Sequence, residues 1–252
     1  MNEILQVAMF AGQMILENGG ETYRVEETIW RICKIYGADE AESFATPTGI
    51  MASICHQGKT YSLTRRVSNR TVNLDKIDKV NDLSRSIQSK KLSVSDFKRE
   101  LDKINNLNTY SFLIVILFSG LAAGSFSILF GGNFKDAFSA FLIGLVIKGL
   151  ALKWSDAGIN TFFTNSICGG ITALLAIIFF KLGISSQINQ TIIGSIMLLV
   201  PGLAITNAIR DTMSGDLLSG IIRASEAFLV AISIAVGTGA VLSFWISNLG
   251  GV

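Results

Sequence analysis

The sequence predicts an α-helical integral membrane protein, with about five transmembrane helices following an amino-terminal cytoplasmic α+β domain. Composition is the first observation behind this. Half of the 252 residues are hydrophobic and 16% are charged, where a soluble domain holds about a quarter charged, and mean hydropathy is +0.49. The second is the placement of charge. Residues 1–109 carry 15 of the 21 Lys/Arg and 14 of the 19 Asp/Glu, leaving six and five for the remainder. The third is a succession of apolar runs after residue 110, each near the ~20 residues that a spanning helix needs. A net charge of +2 is too small to indicate a nucleic-acid partner. Cys33, Cys55 and Cys168 are far apart and odd in number. They fit no metal-ligand spacing and imply no oxidising compartment, so neither metal nor cofactor is expected.

The cytoplasmic domain is expected over residues 1–108. Ile4 to Leu16 reads as an amphipathic helix packed within this domain. It opens with Asn2 and Glu3, without the basic start of a secretory signal, and Gln6 and Gln13 interrupt it. Gly19-Gly20 ends it. A second helix follows, with Val25, Ile29, Ile32, Cys33 and Tyr36 at helical spacing and Gly37 as its cap. The period then changes: Ser43 to Pro47, Gly49 to Cys55 and Thr60 to Val67 are short β-rich runs, the last two joined by a hairpin turn at His56-Gln57-Gly58-Lys59. Two further helices are expected. One, over 74–89, places Leu74, Ile77, Val80 and Ile87 on one side. The other opens at Ser93-Val94-Ser95-Asp96, a capping-box pattern, with Leu92 stapling onto Phe97.

Residues 109–252 form the expected membrane domain, with five spans near 110–130, 134–152, 160–180, 190–209 and 220–246; the short loops leave four or six open as well. Lys90, Lys91, Lys98, Arg99 and Lys103 lie just before the first span, and Lys153 and Arg210 fall on the same side, against Lys135 and Lys181 opposite. The positive-inside rule then places the amino terminus in the cytoplasm and the carboxyl terminus outside a plasma membrane. Small residues are frequent in the spans, beginning with Gly120 and Gly124 in a GxxxG. Close helix packing is the ordinary reading, and dimerisation or gating the other.

The stretch Leu199 to Asp211 is the most informative. Pro201 and Gly202 inside an apolar run predict a kink or break that frees backbone carbonyls, tolerated at membrane depth only where backbone lines a cavity or contacts protein. Broken helices of this kind often mark transport sites. Asn207, Arg210 and Asp211 share one helical face; Asp216, Arg223 and Glu226 follow. Arginine and aspartate can hold a carboxylate or a zwitterion, and Asp216 or Glu226 can carry a coupling proton. A loop that merely caps helices is the alternative for Arg210, Asp211 and Asp216. Lys148, in the second span, reads as a snorkelling side chain. Enzyme signatures are lacking: Gly58-Lys59-Thr60 resembles the end of a P-loop, but position 53 is Ser53, and His56 is the only histidine. The chain is not expected to be an enzyme.

Several ordered segments resemble the threonine/serine exporter family. These are Leu16 to Glu26, Pro47-Thr48-Gly49-Ile50, Arg65 to Asp75, Asn81 to Arg85, Leu199 to Asp211 and Gly215 to Gly220. The resemblance covers almost the whole chain and is closest to the YjjP-like, five-span half of that family. It implies a small membrane protein as partner, supplying the second half of an exporter. It also implies coupling to the proton gradient, and export of threonine and serine or of dicarboxylates such as succinate. Glu21, Thr22, Arg24 and Glu26 match the family signature; a helix amino terminus with first-turn carboxylates is their structural alternative. Besides the partner, the lipid bilayer and a small-molecule substrate, a homo-oligomer remains open. So do a regulatory or scaffold subunit and a membrane enzyme with a soluble catalytic domain.

Overall fold

The computed structural model describes residues 1–107 and 110–249. The expected domain boundary at 108–109 and the carboxyl-terminal end at 250–252 lie outside them. In chain order the elements are α1 (Asn2–Glu17), α2 (Thr22–Ile35), β1 (Glu40–Thr46), β2 (Gly49–His56), β3 (Lys59–Arg66), α3 (Leu74–Lys90) and α4 (Val94–Asn105). Then come α5 (Phe112–Leu129), α6 (Phe134–Asp156), α7 (Thr161–Lys181), α8 (Ile188–Ile196), α9 (Gly202–Met213) and α10 (Leu217–Leu249). They fall into two units. The first is Met1–Asn108 with Gly202–Ser225, and the second is Thr109–Pro201 with Glu226–Val252.

In the first unit α1 is the central core helix. Leu5, Met9, Met14, Ile15 and Leu16 are all buried, so the helix is covered on more faces than an amphipathic reading requires. It ends in a Schellman motif: Gly20 N–H donates to Ile15 at 2.9 Å and Gly19 N–H to Leu16 at 3.2 Å, with Gly19 at φ +94°, where a side chain would be strained. The three strands form an antiparallel sheet in the order β1-β2-β3. Ile50, Ala52 and Ile54 of β2 alternate inward to the core. The β2–β3 turn is Gln57-Gly58, both at positive φ, the geometry that favours two-residue hairpins. Ser93 starts α4 by accepting from Asp96 N–H at 3.1 Å, and Phe97 and Leu101 of α4 are buried. Helix α3 buries Ile77, Val80, Leu83 and Ile87, whereas Leu74, expected on that stripe, is 58% exposed.

In the second unit, small residues set the packing distances. A Cβ on Gly124 would lie 2.9 Å from the Ala137 carbonyl of α6, and one on Gly194 of α8 would lie 2.7 Å from the Ser127 backbone of α5. Ile143, Ile147, Cys168, Ala173, Ala176 and Ile192 form its core. Large apolar side chains such as Leu113, Phe118 and Leu129 point outward, as a lipid-facing surface requires.

The span count differs from expectation. Among the described residues four helices are long and apolar enough to cross a membrane: Phe112–Leu129, Phe134–Asp156, Thr161–Lys181 and Leu217–Asn248. The span expected at 190–209 is two short helices, α8 of nine residues and α9 of twelve, with non-helical chain at 197–201. Pro201 explains the interruption. It offers no N–H to a helix, and it biases Val200 away from helical backbone.

Candidate functional site

The Schellman turn at Gly19-Gly20 brings the chain out of α1 and directly into α2, leaving the carbonyls of both glycines to be met from outside the turn. Asn207 Nδ2 donates to the Gly19 carbonyl at 2.8 Å, and Arg223 Nη2 donates to that of Gly20 at 2.8 Å. Helix α2 begins with Glu21 as its N-cap residue, which has no side-chain cap bond of its own. The capping is supplied from far along the chain: Thr22 N–H donates to Asp211 Oδ1 at 3.1 Å, and Thr22 Oγ1 to Asp216 Oδ2 at 3.2 Å. A carboxylate suits this position, because the unpaired N–H groups of the first turn carry partial positive charge.

The same residues form an ion-pair network. Asp211 Oδ2 lies 2.9 Å from Arg223 Nε, a close ion pair that is off-axis for a linear hydrogen bond. Asp211 is fully buried and Arg223 is 5% exposed. Glu21 accepts from Arg24 Nε at 2.9 Å and from Arg210 Nη1. Burial alone would raise the Glu21 pKa. The bond from its own backbone N–H and those from Arg24 and Arg210 outweigh it, holding the carboxyl below its ordinary value. Arg24 is desolvated in turn, and Glu21 more than compensates, so its pKa is raised. Glu26 behaves oppositely. Burial raises its pKa, a bond from Ala45 N–H at 2.7 Å offsets part of that, and the negative charges of Asp216 and Asp211 raise it further.

The first unit thus brings together Glu21, Thr22, Arg24 and Glu26 of the amino-terminal stretch with Asn207, Arg210, Asp211, Asp216 and Arg223. Within this group the Arg210 side chain is 55% exposed while engaging Glu21. Gly202 opens α9 in this unit. Pro201 belongs to the second unit, as does Glu226, half-buried three residues after Arg223 along α10.

The second unit holds polar groups that the sequence reading passed over. Asp136, fully buried, accepts from the backbone N–H groups of Asn133, Ser186 and Gln187 at 3.0, 2.7 and 2.8 Å and from Ser185 Oγ at 3.0 Å. It closes a capping box with Asn133 and ties the α7–α8 connection to the start of α6. The Asn-x-x-Asp spacing ahead of an apolar run was the available signal. Lys148 and Ala151 of α6, Thr161 and Asn165 of α7, and Leu199 and Pro201 of the interrupted stretch line a cavity of about 240 Å³.

Comparison with known proteins follows this geometry. Residues 6–245 match the ThrE family model, described as "Putative threonine/serine exporter". The chain is 25% identical over 249 residues to "Probable succinate transporter subunit YjjP" of Escherichia coli, covering 96% of this chain and 94% of the relative. It is also 25% identical over 239 residues to the protein of the same name in Klebsiella aerogenes, covering 92% and 90%. It is 26% identical over 178 residues to "Threonine/serine exporter" of Corynebacterium glutamicum, covering 69% of this chain and 36% of that longer protein. No solved structure matches the chain.

Proposed function

Because the chain belongs to the threonine/serine exporter family, we propose that it is one half of a secondary exporter of small amino acids or small carboxylates, completed by a second, smaller membrane protein. The relatives support this in two ways: some are named as transporter subunits, and the longer exporter of Corynebacterium aligns with this chain over about a third of its length. The amino terminus lies in the cytoplasm of a plasma membrane, as the basic residues flanking α5 and following α6 favour.

The interruption between Ile196 and Gly202 carries the transport reading. Asn207 and Arg210 bond α9 to the Gly19–Glu21 turn, so α9 shares the membrane side of the amino-terminal domain. If α5, α6 and α7 each cross once, residues 182–201 must return the chain. Helix α8 has nine residues, about 14 Å at 1.5 Å per residue, so non-helical backbone covers the rest of a ~30 Å core. Such backbone is tolerated at membrane depth where it lines a cavity or is buried in protein. Pro201 and Gly202 then break the helix of the pathway, and Arg210 receives a substrate carboxylate. Asp211 and Arg223 hold α9 in place, Asp216 engages Thr22 beside them, and Glu226 carries the coupling proton.

Efflux from loaded cells tests the proposal. Co-expression of this chain with its partner should release preloaded threonine, serine or succinate, and this chain alone should release little. Glu226→Gln should abolish the pH dependence of efflux at normal membrane abundance. Efflux unchanged by partner, variant and gradient would remove the reading.

A further inference from the structure

The proposed export reading leaves open where the membrane unit itself holds a substrate, and what charge that substrate bears. The cavity bounded by α6, α7 and the interrupted stretch has a volume of about 240 Å³, roughly that of eight waters at ~30 Å³ each. It therefore suits a small organic acid. Two polar side chains on its wall stand out. Asn165 is 8% exposed, and its amide has no hydrogen-bond partner among the described residues. Lys148, half-buried, faces no carboxylate within ion-pair distance among them. An amide and an ammonium left this way in an apolar span carry a cost that a bound ligand removes. The remaining wall is largely apolar, with Ile147, Ala151, Leu198, Leu199 and Val230, and it carries no Asp or Glu. An ammonium group entering there would meet Lys148 with no counter-charge.

We propose that this cavity is an anion-binding site, in which Lys148 and Asn165 hold the carboxylate of a small organic acid. It selects acids lacking an ammonium group over amino acids. The lysine supplies charge, the amide supplies a directed N–H, and Leu199 and Pro201 close one wall. Lys148 is thus a ligand-binding residue and not a snorkelling side chain.

The test is binding of radiolabelled succinate to the full chain in nanodiscs of phosphatidylethanolamine and phosphatidylglycerol, with unlabelled L-threonine as competitor. The wild-type chain should bind succinate saturably, and threonine should compete at least about tenfold more weakly. Lys148→Met should weaken binding about tenfold or more, Lys148→Arg should keep most of it, and Ala151→Phe should abolish it by filling the space. Size-exclusion profiles identify which variants are folded, and the wild-type competition needs no variant. Absence of saturable binding, threonine competing as well as succinate, or folded Lys148→Met and Ala151→Phe chains binding normally would each overturn the site. Normal binding in those variants beside partner-dependent efflux removes this site and leaves the exporter. Lys148-dependent binding without efflux removes the exporter and leaves the site.

Discussion

The backbone N–H of Thr22 donates to the carboxylate of Asp211 at 3.1 Å, across 189 positions of sequence. This one bond explains why two separate stretches, Gly19 to Glu26 and Asn207 to Arg223, act as a unit. The first ends one helix and starts another, leaving carbonyls and N–H groups unpaired. The second supplies the amide of Asn207, the guanidinium of Arg223 and the carboxylate of Asp211 to meet them. Helix α9 is held to the amino-terminal domain by polar groups and not by a broad apolar face: among its buried residues, Asn207 and Asp211 outnumber Ala208.

Breaking the buried pair should therefore cost far more than breaking an exposed one. Arg223→Ala leaves Asp211 fully buried without its cation, a loss of about 3–5 kcal/mol. Arg24→Ala, at a partly exposed pair, should cost no more than about 1 kcal/mol. Melting followed by fluorescence-detected size exclusion should show a drop of several degrees for Arg223→Ala and a small one for Arg24→Ala. Equal drops contradict the ranking.

Glu21 gives the network a pH signature. Its folded-state pKa lies below the ordinary carboxylate value, so its contribution is complete above about pH 4.3 and is lost as pH falls through the folded value. The stability gap between wild type and Glu21→Gln should be widest near neutrality and should close under acid. A gap that widens on acidification overturns the assignment.

Glu26 should show the opposite sign. Its folded pKa is raised by burial and by the charges of Asp216 and Asp211, so the protonated form is the better fit. That contribution is present in acid and lost as pH rises through the folded value. Glu26→Gln mimics the protonated form and keeps the oxygen that accepts from Ala45 N–H. It should melt at or above the wild-type temperature near neutral pH, with the difference vanishing in acid. A lower melting temperature near neutrality shows that the ionised form is required.

Local patterns were legible where neighbours in sequence decide the structure. Gln57-Gly58 marked the hairpin, Ser93 the start of α4, and Pro201-Gly202 the interruption. Hydropathy continues across that interruption, so the apolar run marks a single span at 190–209 although Pro201 breaks the helix within it. The pairing of Asn207 with Gly19 and Arg210 with Glu21 joins positions 188 and 189 apart, and no local periodicity reports it. Asp136 is hidden for another reason: three of its four partners, Ser185, Ser186 and Gln187, lie about 50 positions onward.

The chain path makes a topological prediction. If residues 182–201 recross the membrane, a reporter fused after Val252 should be active outside the cytoplasm and one fused before Met1 inside. Both reporters active on one side would mean that α8 and its flanks do not cross, leaving only the four long helices as spans.

The most direct test of the exporter reading is reconstitution. Proteoliposomes loaded with labelled threonine or succinate should release it only when this chain and its partner share the membrane, and faster under an imposed proton gradient. Arg210→Gln should slow that release. Release from vesicles with both proteins that matches protein-free vesicles, for every substrate and gradient tried, would contradict the account.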